Sequence, residues 1–162
     1  MTRWMIGLVL TLGAWAQPVV WNVTVPPHWT SAAGSSDGSL VMQLHPKDPS
    51  HTASVVIRRY PQELPSLTDE LQQLRYSVIL KLEGRIFKSR PCLIAGQPGL
   101  RVDYEGRTDS GAFKKFVRYM TTYHQELLTV HCAVSSQAAA DEADFKAILE
   151  GIRATAAAAD PE

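Results

Sequence analysis

The stretch from Ile86 to Ser136 constrains this chain more than any other. It is a run of β-type segments broken by turn residues, with helix-type sequence on either side. Leu100 to Glu105 alternates apolar and polar residues with period two, as a strand with one buried face does. Phe116 to Tyr123 and Leu127 to Val134 are rich in β-branched and aromatic residues. In the last of these, Leu128, Val130, Cys132 and Val134 share one side, and Leu127, Thr129, His131 and Ala133 share the other. One apolar and one semi-polar face suit an antiparallel sheet with partial cover. The links are short. Ala95 to Gly99 reads as a turn, with glycines free to take positive φ and Pro98 fixing its own φ. Thr108 to Gly111 and Tyr123 to Glu126 are further turns. The expectation is a meander of about four strands.

Three more strands are expected ahead of it. Val19 to Val25 places Trp21, Val23 and Val25 on one side, and Pro26-Pro27 ends it. After His28-Trp29, a loop of small and polar residues is read from Thr30 to Ser39. Leu40, Met42 and Leu44 mark the second strand and Ala53 to Tyr60 the third, with His45 to Thr52 as a loop between them. Ser66 then reads as a helix N-cap with Asp69 three residues on. Leu67, Leu71, Leu74, Val78 and Leu82 recur at helical spacing, and Gly84 is a suitable stop. A second helix is read from Ala139 to Ala154, with Phe145, Ile148, Leu149 and Ile152 as its apolar stripe. Asp141, Glu142 and Asp144 in its first turns suit the helix dipole. Residues 155–162 are expected to fray as a flexible tail. The order is β-β-β-α-β-β-β-β-α: an α+β fold with an antiparallel sheet of about six to seven strands flanked by two helices.

Composition bounds the function. A chain of 162 residues, 45% hydrophobic and 20% charged, is globular and large enough for one domain with a real core. Lys and Arg number 16 and so do Asp and Glu, so no electrostatic argument for a nucleic-acid partner follows. Arg3, the apolar run Trp4 to Trp15 and the Ala14-Trp15-Ala16 site make a secretory signal peptide, residues 1–16. The run is too short to span a bilayer comfortably. The domain is expected over residues 17–154, periplasmic or secreted after cleavage near Ala16, with no membrane span in the mature chain. An oxidising compartment permits a disulfide between Cys92 and Cys132. In simple meander order the two sit on the first and last strands, about 14 Å apart at the usual strand spacing, beyond the reach of about 7 Å. A different strand order would allow the bond. The alternative is two buried thiols packing as small hydrophobes.

Trp21-Asn22-Val23-Thr24-Val25-Pro26 followed by Trp29, the turn Gly96-Gln97-Pro98-Gly99-Leu100-Arg101 leading to Asp103-Tyr104, and the closing helix with Phe145, Ile148 and Leu149 carry a resemblance. The chain resembles the PsbP-like group of secreted α/β/α sandwich proteins, which includes Mog-type Ran-binding folds and bacterial DcrB-type and LpqN-type lipoproteins. The resemblance spans most of the mature chain and implies a sandwich fold. It also implies a binding or assembly module, since the group has no shared catalytic set to carry over. The chain departs from the lipoprotein members in lacking a lipobox cysteine.

The candidates for chemistry are few. Gly34-Ser35-Ser36-Asp37-Gly38 matches G-x-S-x-G, but a strand follows where a nucleophile elbow needs a helix, so Ser36 reads as part of a turn. His45, Asp48 and His51 place two imidazoles and a carboxylate in one loop. The spacing matches no known metal site, and a solvated loop is the plainer reading. Tyr119, Tyr123, His124 and His131 lie in or beside the last hairpin and are the candidate ligand- or partner-binding set; half-buried, hydrogen-bonded residues are the alternative. Arg58, Arg59, Lys114, Lys115 and Arg118 read as solvated charges on exposed strand positions, or as a converging basic patch. No Walker A, Rossmann, CxxC or HExxH pattern is present. The expectation is a non-enzymatic module without a cofactor that binds an envelope or periplasmic protein. Its contact surface would be whatever part of the sheet the helices leave open, with the last hairpin and the Thr30 to Ser39 loop as the first places to look. A small-molecule or lipid carrier with a pocket between sheet and helix is the alternative.

Overall fold

The computed structural model describes residues 19–34, 40–62 and 65–156. The leader 1–16, Ser36 with the rest of the 35–39 loop, and residues 157–162 lie outside these. The elements in order are β1 (Val19–Val23), β2 (Trp29–Ala33), β3 (Leu40–Pro46), β4 (Ser54–Pro61), α1 (Leu67–Leu80), β5 (Arg85–Ile94), β6 (Gln97–Arg107), β7 (Phe113–Tyr123), β8 (Glu126–Ala133), α2 (Ala138–Glu150) and β9 (Ile152–Ala156). Seven strands form one antiparallel sheet in the order β2-β3-β4-β8-β7-β6-β5, and β1 pairs β9 in a separate ribbon. Among the described residues no helix is long and apolar enough to cross a membrane.

The β5–β8 meander forms as its alternation predicts. Its first turn is tighter than expected. Only Ala95 and Gly96 lie outside the strands, at φ 52° and 77°, and Gln97-Pro98-Gly99 already belong to β6. Two successive left-handed residues match the twist of a two-residue hairpin. Helix α1 starts as read, with the Asp69 amide donating to the Ser66 hydroxyl at 3.3 Å, and stops at Leu80, before Gly84.

Two expectations are corrected. Trp29 opens a strand instead of preceding a loop. Residues Thr30 to Ala33 have little strand propensity, but pairing with β3 satisfies their backbone. The second helix does not reach Ala154, and residues 155–156 do not fray. Gly151 ends α2, and Ile152 begins a strand that pairs with β1 from Val23 back to Val19. A Cβ at Gly151 would lie 2.8 Å from the Thr24 carbonyl oxygen, and the Thr24 amide donates to the Gly151 carbonyl at 3.0 Å. That close approach lets the ribbon fold back over the helix end. Cys92 and Cys132, whose pairing the sequence leaves open, are both free. They lie on β5 and β8 with β6 and β7 between them, so no bond can close.

Strand alternation divides the sheet into two faces. The first carries Leu44, Val55, Ile57, Leu128, Val130, Cys132, Val117 and Tyr119, and it is covered by Phe145 and Ile148 of α2 and by Val19, Trp21 and Ile152 of the ribbon. The second is apolar over β6 and β7, where Val102, Tyr104 and Met120 pack under Leu74 and Val78 of α1.

A buried carboxylate fastens α2. Asp141 is fully buried. It accepts from the Ser135 amide at 2.5 Å and the Ser135 hydroxyl at 3.1 Å, and meets His51 Nε2 at 2.5 Å. One turn on, Asp144 takes His28 Nε2 at 2.8 Å and the Trp29 indole N–H at 3.0 Å. The two acids on one helix stripe thus hold both the β3–β4 loop and the start of β2. Asp141→Ala strands the Ser135 amide and His51 in a dry site, so it should cost about 3–5 kcal/mol. Urea unfolding is expected to show a lower midpoint at unchanged slope; an unaltered midpoint would refute the fastening role.

Candidate binding surface

The two covers are staggered. The ribbon and α2 lie over the apolar end of the first face, and α1 lies over the β5–β7 end of the second. Across β8, β4 and β3 the second face carries His131, Thr129, Val56, Arg58 and Gln43, as the register of the three strands dictates. Among the described residues no element packs over the β3–β4 part of this half, while Leu127 and Thr129 of β8 are themselves buried. A recess of about 470 Å³ opens at its border with α1. Arg118, Leu127 and Thr129 form its floor, Glu70 and Gln73 of α1 one wall, and Tyr60 and Gln62 the other. Gln62 is fixed twice: its amide N–H donates to the Gln125 carbonyl at 2.8 Å, and its side chain donates to Glu70 at 3.1 Å. The β7–β8 turn therefore forms part of the rim.

Arg118 sits on β7 opposite His131 of β8. Its Nε is buried and has no hydrogen-bond partner among the described residues. His131 stacks with Tyr104 and Phe116, ring centroids 6.1 and 5.1 Å apart, and meets the Tyr104 hydroxyl at 2.9 Å. Burial first, and the Arg118 charge second, hold His131 down at about 4. The imidazole is thus neutral at pH 7. Burial likewise pushes the Tyr104 hydroxyl up.

The four candidate residues of the last hairpin do not converge. Tyr119 faces the opposite side of the sheet from His131, is 3% exposed, and lies beneath the Arg101 guanidinium at 5.5 Å. Arg101 is in turn clasped by Asp103 and by Glu142 of α2. Tyr123 packs edge-on against Trp21, centroids 6.0 Å apart. His124 is exposed at the β7–β8 turn, with φ 52°. The loop candidates for a metal also part company. His51 turns onto Asp141, Asp48 accepts from the Ser50 amide and hydroxyl, and His45 stands exposed on β3. Nor do the five basic residues form one patch. Arg58 and Arg118 share the second face, whereas Arg59 crosses to the first and donates to the Val19 carbonyl at 3.2 Å. Arg118, one of the five, is set apart by the register, which places it beside a histidine with aromatic cover.

No known family's sequence profile matches this chain, and no curated protein matches it in sequence. Solved structures do match in shape. LpqN of Mycobacterium tuberculosis, involved in cell envelope biogenesis, is similar over 88% of this chain and 87% of its own, at 12% identity and a TM-score of 0.64. The cyanobacterial PsbP protein CyanoP of Synechocystis sp. PCC 6803 is similar over 93% of this chain and 99% of its own, at 9% identity and a TM-score of 0.61. The fold is PsbP-like. A Pseudomonas aeruginosa protein of unknown function, PA94, matches over 83% of this chain and 81% of its own, at 16% identity and a TM-score of 0.51. In this PsbP-like sandwich the resemblance read from Trp21 to Trp29 and from Gly96 to Tyr104 is that of β1 into β2 and of the β5–β6 turn.

The state of His131 has a consequence for stability. Its folded value of about 4 lies below the ordinary 6.5, so the unfolded chain binds the proton more readily. Its contribution is complete above pH 6.5 and is lost as pH falls toward 4, worth about 3 kcal/mol across that window. His131→Phe keeps the stacking and removes the titration. Urea unfolding between pH 7 and pH 4 should show a flatter stability profile for the variant; parallel profiles would contradict the buried neutral imidazole.

Proposed function

We propose that this chain is a non-enzymatic accessory module of the cell envelope, exported from the cytoplasm, that binds a partner protein through the uncovered half of its second sheet face. The observation that carries the reading is the stagger of the two covers. Among the described residues it leaves β3 and β4 with one face over which no element packs, next to a recess walled by α1 and rimmed by the β7–β8 turn. A rigid sheet with a concave border and aromatic Tyr60 at its edge suits a protein contact, in which a few central side chains carry most of the affinity. The sandwich shared with LpqN supports an envelope setting by analogy.

Two observations weigh against other readings. The space between α1 and the sheet is filled by Tyr104, Met120, Leu74 and Val78, which leaves the carrier reading with surface recesses and no chamber there. The group of Ser135, His51 and the buried Asp141 is not a nucleophile with its base, because the Ser135 hydroxyl is spent on Asp141. Its arrangement is that of a structural fastening.

Affinity capture from native envelope after mild crosslinking tests the reading. Wild-type protein should recover one stoichiometric partner. The double variant Val56→Ser, Tyr60→Ala should recover at least about tenfold less, as loss of a central contact does, with an unchanged thermal midpoint. His124→Ala, on the rim, should weaken capture less. Equal recovery by the wild type and the double variant would remove this surface from consideration.

A further inference from the structure

Large apolar side chains gather at the C-terminal end of α1 and on the neighbouring edge strand. Tyr76, Ile79 and Leu80 are 65%, 61% and 59% exposed, and Phe87 of β5 is 48% exposed. At about 100° per residue, the three helix residues lie opposite Leu74 and Val78, which pack onto the sheet. Exposed Gln72 and Asp69 bound the patch one and two turns back from Tyr76. Strand β5 is the sheet's edge. A register shift between Ile86 and Lys88 takes Phe87 out of the strand's alternation. A recess of about 470 Å³ joins helix and strand, with Ile79, Ile86 and Phe87 as its apolar part and Arg75, Arg85 and Lys88 as its basic part. Charge is segregated here as well. The chain holds 16 basic and 16 acidic residues, yet between positions 75 and 88 Arg75, Lys81, Arg85 and Lys88 face a single acid, Glu83. Arg85 is paired with Glu105 of β6 at 2.8 Å, and Glu83 with Arg107 at 2.9 Å. Arg75, Lys81 and Lys88 are exposed and form no ion pair among the described residues.

We infer that this end of the molecule docks on an anionic bilayer surface, with Tyr76, Ile79, Leu80 and Phe87 entering the headgroup region and Arg75, Lys81 and Lys88 meeting lipid phosphates. Apolar and aromatic side chains flanked by Lys and Arg are what a helix lying in a membrane interface presents. Long basic side chains lay their stems along apolar surface and keep their charges at headgroup level. An acidic protein segment added to the sheet edge fits less well. The edge carries exposed Arg85, Lys88, Arg90 and Pro91 and the register shift at Phe87, the devices that block strand addition. The patch on α1 is a convex helix face, which a deformable bilayer takes without a matching groove, whereas a protein partner would need one. This inference goes beyond the partner-surface reading and does not depend on it.

Two measurements test it. In the first, protein purified from the native host is sedimented with vesicles of phosphatidylcholine, pure or mixed with phosphatidylglycerol. Binding to the mixed vesicles should be at least about tenfold tighter, each Lys or Arg near an anionic surface being worth about fivefold, and high salt should weaken it. Arg75→Gln with Lys88→Gln should lose about 25-fold on the same scale. Ile79→Ser with Leu80→Ser should lose at least about tenfold through the buried apolar area. Both double variants should keep the wild-type thermal midpoint. Lys47→Gln with Lys146→Gln removes the same charge from exposed positions elsewhere and should change binding little. Failure to bind the mixed vesicles, equal binding to the two vesicle types, or equal losses from the two charge-removing pairs would overturn the inference. In the second, a photoreactive residue at position 80 is activated in the native host. A lipid adduct supports bilayer docking. A protein adduct in its place would assign the patch to an acidic protein partner, and the absence of a lipid adduct would overturn the docking.

Discussion

The pairing of β4 with β8 joins two halves of the chain that would otherwise be separate meanders. Eight residue pairs run from Ser54 opposite Ala133 to Pro61 opposite Glu126. The pairing is antiparallel, and α1 makes the long connection from β4 to the far edge at β5. Because side chains alternate along each strand, this register decides which residues of both halves share a face. It aligns Val55 and Ile57 with Cys132 and Val130 on the covered side. It aligns Val56 and Arg58 with His131 and Thr129 on the other. A slip of one residue would expose the first set and bury the second.

The covers then follow from the faces. The apolar side needs α2 and the β1–β9 ribbon, and Asp141 and Asp144 fix how α2 lies. Replacing both members of a buried hydrogen-bonded pair with apolar residues often leaves stability unchanged or better. Here the two acids join the loop after β3 and the start of β2 to one helix stripe, a contact set that apolar side chains would not direct so narrowly. At the other end, Glu126 takes the Trp21 indole N–H at 2.7 Å and lies 3.6 Å from Arg59, which locates the ribbon. Among the described residues nothing comparable reaches across β3 and β4 on the second face, where Gln43, Val56 and Arg58 are partly exposed.

Much of this was legible in the sequence. The period-two pattern of Leu100 to Glu105 and the β-type composition of Leu127 to Val134 foretold the meander, whereas β8 is buried on both faces except at His131. The leucine spacing after Ser66 foretold α1. Two kinds of information were missing. Edge elements were the first: Thr30 to Ala33 and Ile152 to Ala156 have weak intrinsic preference and become strands by pairing with a distant segment. Ile152 also fits a helical stripe as well as it fits a strand, and the difference lay in Gly151. Pairing across strands was the second. Tyr119, Tyr123 and His131 are close in sequence, but parity puts the tyrosines and the histidine on opposite faces. The same register brings Arg118 beside His131, which no local pattern announces. The GSSDG loop and the leader rest on sequence alone.

The shape shared with LpqN and CyanoP at 12% and 9% identity shows how little sequence this sandwich requires, and how far its open surface is free to differ. The most direct measurement is photo-crosslinking in the native host from single positions on the folded chain. With the photoreactive residue at position 60, on the open face, a single discrete adduct with an envelope protein is expected. At position 113, in the exposed β6–β7 hairpin, none is expected. An adduct from position 113 with none from position 60 would contradict the placement of the binding surface on the uncovered half of the sheet.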